Sequence, residues 1–264
     1  VFLIARLSWH WVFYIFGSVG IVWAVGWYYY YRDYPQDHPA VNAAEIEILR
    51  ASGFTSKPKG KLMVPWRRIL RSRNLWLLSS LYFCYGWVLW MYLFWLPTYL
   101  VEARGFSQLK MGFAASLPLL AATLTNMAGG WFSDKLAHRL ADLRRGRLLV
   151  SMLGFTLAGL ALIPGVLAHN PTTGLLCLTL ALAGLELTVA VSWAICIDIG
   201  GDYSGSVSAV MNTLGNVGGA ISAVAIGYLA THLGWNWPFL VASAMCLIAA
   251  LLATRIDPNL SAVE

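Results

Sequence analysis

The chain has 264 residues, of which 59% are hydrophobic and 11% charged. A soluble domain carries charge on about a quarter of its residues, so this composition excludes an ordinary water-soluble fold. The formal net charge of +6 would by itself suit a nucleic-acid partner, but the placement of the charges argues otherwise.

A hydrocarbon core about 30 Å thick needs roughly 20 apolar residues per helix. Seven segments meet that length: 11–31, 75–100, 111–132, 148–167, 174–196, 208–231 and 237–253. None shows a periodicity that separates one face from another, which fits helices surrounded by lipid and by other helices. The opening stretch, VFLIARLSWHW, has no charged segment followed by a small-residue cleavage site, so it is not a signal peptide. It reads as the last turn of an earlier apolar segment, a short outside loop, and the start of the first span. The odd number of spans and the abrupt start predict a piece of a longer polypeptide. Aromatic residues gather near span ends, as at Tyr28 to Tyr31, Trp235 and Trp237, where amphipathic rings favour the headgroup layer.

Residues 32–74 form the long polar segment. Two prolines in DYPQDHP, Asp33 to Pro39, make an irregular exit from the first span. A short helix is predicted next, with Asn42 as its cap and Glu45 completing a capping box. GFTSKPKGK is flexible and basic. VPWRRILRSRN then sets Trp66, Ile69 and Leu70 against Arg67, Arg68, Arg71 and Arg73. That pattern predicts an amphipathic basic helix on the inner membrane interface; a solvated charge run is the plainer alternative.

If the first span runs outside to inside, the loops 32–74, 133–147, 197–207 and the tail from 254 lie inside. All of the 18 lysines and arginines then fall inside except Arg6, Arg104 and Lys110. Positive charge marks the cytoplasmic side of membrane proteins, so the basic balance is topological. It calls for a lipid bilayer and for no nucleic acid.

The four cysteines, Cys84, Cys177, Cys196 and Cys246, all fall inside spans without metal-ligand spacing and read as small apolar fillers. His10, His38, His138, His169 and His232 lie at span ends or in loops. No catalytic constellation, metal site or cofactor motif is present, so an enzyme is not expected.

Three polar features remain. Glu186 alone among the acidic residues lies deep in a span, roughly 18 Å along its helix at 1.5 Å per residue. An ionisable group at that depth is costly and marks a functional site by default; a hydrogen-bonded packing role is the alternative. Trp193, seven residues on, is expected on the same helix face. Asn212 and Asn216 stand one turn apart, as do Tyr82 and Tyr85. They are able to bond a ligand's hydroxyl or carboxylate, or to glue helices together. Finally, NMAGGWFSDKLAHRLADLRRGR, Asn126 to Arg147, inserts a dense polar knot between two apolar spans. Gly129 and Gly130 allow close helix approach there, and Asp134 is placed to face a positive helix end or to pair with nearby basic residues.

One span, a long basic linker and six further spans resemble the second half of a major facilitator superfamily transporter. The family's loop motif runs glycine, three residues, aspartate, a basic residue, one residue, glycine, then two basic residues. Gly130, Asp134, Lys135 and Arg139 match it, whereas Ala137 replaces the second glycine and His138 a basic residue. Finer features resemble the anion:cation symporter branch. They are WVFYIFGSVGIVWAVGWYYYYRDYPQDHP, then WVLWMYLFWLPTYLVEARGFS with its Trp95 to Leu100 signature, and DIGGDYSGSVSAVMNTLGNVGGAIS.

The resemblance implies an all-α integral membrane fold whose seven transmembrane helices correspond to helices six to twelve of a twelve-helix major facilitator fold. Residues 1–31 would end the N-terminal bundle, 32–74 form the cytoplasmic linker, 75–253 the C-terminal six-helix bundle and 254–264 a cytoplasmic tail. It further implies proton-coupled symport of a small organic anion, such as a hexonate, hexarate or hexuronate, across the cell's inner membrane. Neutral sugars, drugs and phosphate compounds are the alternative cargoes, and a non-transporting sensor is the alternative class. On this likeness Tyr82, Tyr85, Trp193, Asn212 and Asn216 contact substrate, and Glu186 carries a coupling proton. Gly130, Asp134, Lys135 and Arg139 would latch one conformation. The N-terminal bundle, where the family's substrate arginine and coupling carboxylates mainly lie, would be required as partner.

Overall fold

The computed structural model describes residues 8–51 and 63–262. Arg6, Lys57, Lys59 and Lys61, the reading of the first seven residues as a helix turn, and the whole of GFTSKPKGK lie outside the described residues. The chain divides into two compact units, residues 1–63 and 64–264.

In the first unit, α1 (Trp9–Tyr30) is a helix of 22 residues. A single 3-10 turn, Pro35–Asp37, follows, and α2 (Ala43–Ala51) closes the described part. The predicted capping box is present. The Glu45 N–H donates to Asn42 Oδ1 at 2.9 Å, and the Asn42 N–H donates to Glu45 Oε2 at 3.3 Å.

The second unit is built from α3 (Trp66–Ile69), α4 (Arg73–Glu102), α5 (Gln108–Leu140) and α6 (Leu143–Leu167). It continues with α7 (Pro171–Glu186), α8 (Val189–Gly200), α9 (Ser204–Leu233) and α10 (Asn236–Ala253). Among the described residues there is no strand. The extended basic helix expected at 64–74 is a single turn, α3, and its apolar residues diverge. Ile69 is fully buried in the core, whereas Trp66 and Leu70 are exposed. The compact unit begins at Val64, and α4 begins at Arg73 with Ser72 as its cap.

α4 packs along α9, and α6 packs against α7 and α10. Glycine makes the first pairing possible. A Cβ on Gly86 would run into the carbonyl of Gly215, so the two backbones touch directly. Without an apolar solvent penalty to drive association inside lipid, such close packing is what holds helices together.

Two expectations about helix boundaries are corrected. The loop predicted at 133–147 is mostly helix. α5 continues through Leu140 and reverses only at Ala141, whose φ is 49°. Asp142 then caps α6, accepting the Arg145 N–H at 3.0 Å. Aspartate, lysine and arginine are compatible with a helix, so the end of the apolar run was not the end of the helix.

The span predicted as one helix over 174–196 is broken between Glu186 and Val189. There the Thr188 N–H bonds the Leu185 carbonyl three residues back, and the Thr188 hydroxyl donates to that same carbonyl at 2.7 Å. Gly129 of α5 presses on the Leu187 carbonyl so closely that a Cβ there would collide with it.

At one end of the bundle Arg104 closes α6. It donates to the carbonyls of Gly165 at 2.9 Å and Val166 at 2.8 Å, and to that of Ala168. A cation is favourable at a helix C-terminus, where unpaired carbonyls carry the negative end of the dipole. At the other end the residues after α10 fold back onto the bundle. Ile256 and Ala262 are buried, and the Ala262 N–H donates to the Ile199 carbonyl at 2.7 Å.

Candidate substrate and coupling site

α4 presents Tyr82 and Tyr85 one turn apart, and their rings stack with centroids 4.8 Å apart. The Tyr85 hydroxyl donates to Glu186 Oε1 at 2.8 Å. Asn126 of α5 donates its amide to Glu186 Oε2 at 3.0 Å. Glu186, 8% exposed, closes α7 directly before the break. Its two oxygens are thus held by neutral donors, and among the described residues no cation pairs with it. Burying a carboxyl group is tolerable only when its hydrogen-bonding capacity is met, and Tyr85 and Asn126 meet it. The three line a cavity of about 460 Å³ together with Thr123, Met127 and Leu89.

Asn126 opens the stretch that ends at Arg147, and the sequence alone gives it no role at the site. Its signal was available: an amide in the middle of an apolar span. What the sequence lacked was the rotation of α5 that turns it to α7.

Trp193 stands past the helix break on α8, so the expected shared face with Glu186 does not arise from one continuous helix. Tyr82 provides the connection. The Trp193 indole N–H donates to the Tyr82 hydroxyl at 3.0 Å, with the rings edge to face. Trp193 is 40% exposed, so this side of the cluster is open.

Asn212 and Asn216 lie on an exposed face of α9. They bond each other, Asn216 Nδ2 donating to the Asn212 carbonyl at 2.8 Å. No hydrogen bond joins them to Glu186. Their link to the cluster is Gly215, between them in sequence, which packs under the Tyr82 ring.

The residues expected to form a latch separate into two groups. Asp134 accepts from Arg147 Nη1 at 2.6 Å, and Arg147 Nε donates to Asp198 Oδ2 at 3.0 Å. Arg147 also donates to the Ser133 hydroxyl at 3.0 Å and is 7% exposed. One buried guanidinium therefore ties α5, α6 and α8, and Asp134 meets a side chain rather than a bare helix end. The sequence placed Arg147 among topology charges and Asp198 in a loop; both belong to this network. Lys135 and Arg139 stay out of it. Lys135 lies over the Trp131 ring, 4.2 Å from its centroid, and Arg139 lines an apolar cleft with Phe132 and Leu153. Gly130 faces the methyl group of Ala190 at close contact.

Residues 1–223 match the Major Facilitator Superfamily. The chain is 34% identical, over 98% of its length, to a probable sulfoacetate transporter of Cupriavidus necator. It is 29% identical over 93% of its length to a D-galactonate transporter of Escherichia coli. Against a probable galactarate/D-glucarate transporter of Escherichia coli the identity is 28% over 98% of the chain. The chain spans 58–60% of the length of these three relatives, whose names are those of transporters and not of enzymes. With apolar helices long enough to cross a bilayer and a family match over most of its residues, the chain belongs to the Major Facilitator Superfamily.

Proposed function

We propose that this chain supplies the C-terminal bundle and linker of a secondary transporter that moves a small organic acid, coupled to protons, by alternating access. Hexonates, hexarates, hexuronates and short sulfonated carboxylates are the cargo class, in keeping with what the names of the relatives say they carry. The observation that carries the reading is the buried carboxyl of Glu186, held between Tyr85 and Asn126 at the wall of a cavity.

Among the described residues, six stretches are long and apolar enough to cross a membrane, one of them the 63 residues Pro171–Leu233. The chain turns within it at the 3-10 segment Gly201–Tyr203. Counting α7 with α8 as one span and α9 as another gives the seven spans that would be helices six to twelve. In this reading the chain acts with a preceding bundle, sits in the inner membrane, and keeps linker, latch and tail on the cytoplasmic side.

The site supports the following chemistry. When protonated, Glu186 needs an acceptor for its O–H. Turning the Asn126 amide over presents its carbonyl oxygen in place of the amino group, and the Tyr85 hydroxyl is able to accept as well. The pocket therefore accommodates both protonation states without moving a helix. A neutral Glu186 removes charge repulsion as an anion enters. Loss of the proton on the other side of the membrane restores the repulsion and drives release. Trp193, Asn212 and Asn216, with the buried Tyr82 behind Trp193, form the polar and aromatic side against which the substrate lies. Arg147, with Asp134 and Asp198, holds one of the two conformations.

The decisive experiment is uptake by the full-length transporter in vesicles with an imposed proton gradient, using labelled galactonate with sulfoacetate, glucarate and phosphate as competitors. Proton-driven uptake blocked by the organic acids supports the proposal. Uptake that follows a sodium gradient and is blocked by phosphate would instead favour the second reading. That reading rests on the 29% identity to a sodium-dependent phosphate transport protein of Arabidopsis thaliana, over 95% of the chain.

A further inference from the structure

Beside the first turn of α4, a cavity of about 480 Å³ opens between the segment before that helix and the residues after α10. Four arginines line it: Arg68, Arg71, Arg73 and Arg255. The sole carboxylate among its lining residues is that of Asp257, and Asp257 is already engaged. Its Oδ2 lies 3.9 Å from Arg144 and its Oδ1 accepts the Asn259 N–H at 3.1 Å. None of the four arginines has a carboxylate partner among the described residues.

The walls are tied to one another. Asn74, 7% exposed, donates to the carbonyls of Asp257 at 2.7 Å and Leu260 at 3.2 Å, and accepts the Asp257 N–H at 3.1 Å. That clamp brings residues 183 positions apart together and sets Arg255 opposite Arg71 and Arg73. Like charges gathered around one cavity repel unless an anion sits among them. Guanidinium groups are suited to phosphate oxygens, which they bind through paired N–H donors.

We propose that this cavity binds a phosphate-bearing anion, and that its occupant is the headgroup of an anionic phospholipid. The surroundings favour lipid over free phosphate. Trp66, Leu70 and Trp76 are 48%, 43% and 44% exposed, and they alternate in sequence with the arginines. The Trp76 indole N–H is spent on the Leu70 carbonyl at 2.7 Å, which leaves the ring as an apolar surface. Exposed tryptophan beside unpaired arginine at the end of a membrane-spanning helix fits the boundary between headgroups and acyl chains. The site is separate from the Glu186 cavity and does not depend on what is transported.

The test uses the whole chain in nanodiscs of phosphatidylcholine with and without phosphatidylglycerol, and in a detergent with an uncharged headgroup to which inorganic phosphate is added. Native mass spectrometry reads retained lipid, and thermal unfolding reads phosphate. Arg71→Gln/Arg255→Gln removes two charges from the cavity, and Arg50→Gln/Lys110→Gln removes two elsewhere. Retained phosphatidylglycerol should fall roughly tenfold or more in the cavity variant and stay near wild type in the control. Stabilisation by inorganic phosphate alone, lost in the cavity variant, assigns the site to free phosphate. Equal losses in both variants, or no retention of either ligand by the wild type, overturn the proposal. Should the double variant not fold, the exposed Arg68→Gln takes its place under the same criteria.

Discussion

Tyr85 and Glu186, 101 residues apart in sequence, share a buried hydrogen bond of 2.8 Å in which the tyrosine donates to the carboxyl group. Removing the hydroxyl leaves Oε1 without its donor. We expect Tyr85→Phe to destabilise the bundle by about 1–3 kcal/mol, read as a lower melting temperature in detergent. Glu186→Gln should melt close to wild type, because an amide still fills the site. In uptake assays of the full-length protein, Glu186→Gln should flatten the pH dependence while substrate still binds. A wild-type pH profile in that variant makes Glu186 a packing residue.

Arg147 gives a contrast between its two partners. The side chain of Asp198 is 17% exposed and that of Asp134 is 64% exposed. Arg147→Met strands Asp198 in a poorly solvated position, and we expect a loss of about 3–5 kcal/mol. Asp134→Asn removes an ion pair open to solvent and should cost about 1 kcal/mol or less. We expect its effect instead in the balance of conformations, read by cysteine accessibility from each side of the membrane. Equal melting points for Arg147→Met and Asp134→Asn would remove the basis for ranking them.

The two glycines at the end of the apolar part of α5 are not equivalent. At Gly129 a methyl group meets the Leu187 carbonyl, which is backbone and has nowhere to go; at Gly130 it meets the Ala190 methyl group at 3.3 Å. Gly129→Ala should cost about 1–3 kcal/mol through overpacking and Gly130→Ala clearly less. Thermal unfolding of the two variants side by side checks the order, which is the reverse of what the sequence motif alone suggests.

On the open side of the cluster, Asn212→Ala removes one amide and should weaken substrate binding by about 0.5–1.5 kcal/mol. Trp193→Ala should weaken it more, because it removes the aromatic wall and also the donor to Tyr82. Binding measured by calorimetry on the full-length protein separates these effects from changes in transport rate. Unchanged affinity in both variants moves the substrate away from this face.

What the sequence determined by itself is what depends on near neighbours and on solvent. Apolar length placed the helices in a bilayer, because hydrocarbon rejects unpaired backbone groups. The reciprocal bonds of Asn42 and Glu45 were legible because a capping box spans three residues. Glu186 stood out as one acidic residue inside a greasy run. Helix ends were less legible: the α5 backbone carries on past the apolar boundary, and the break after Glu186 depends on how Gly129 and Thr188 pack, not on a proline.

Only the tertiary structure decided which polar groups meet. Asn126 reaches Glu186 across 60 residues, and Arg147 reaches Asp198 across 51. In a water-soluble helix an apolar stripe tells which face turns inward. These helices are apolar all round, so no stripe fixes their rotation. Close contacts such as Gly86 on Gly215 and Gly129 on Leu187 set it instead, and they exist only once the helices are side by side.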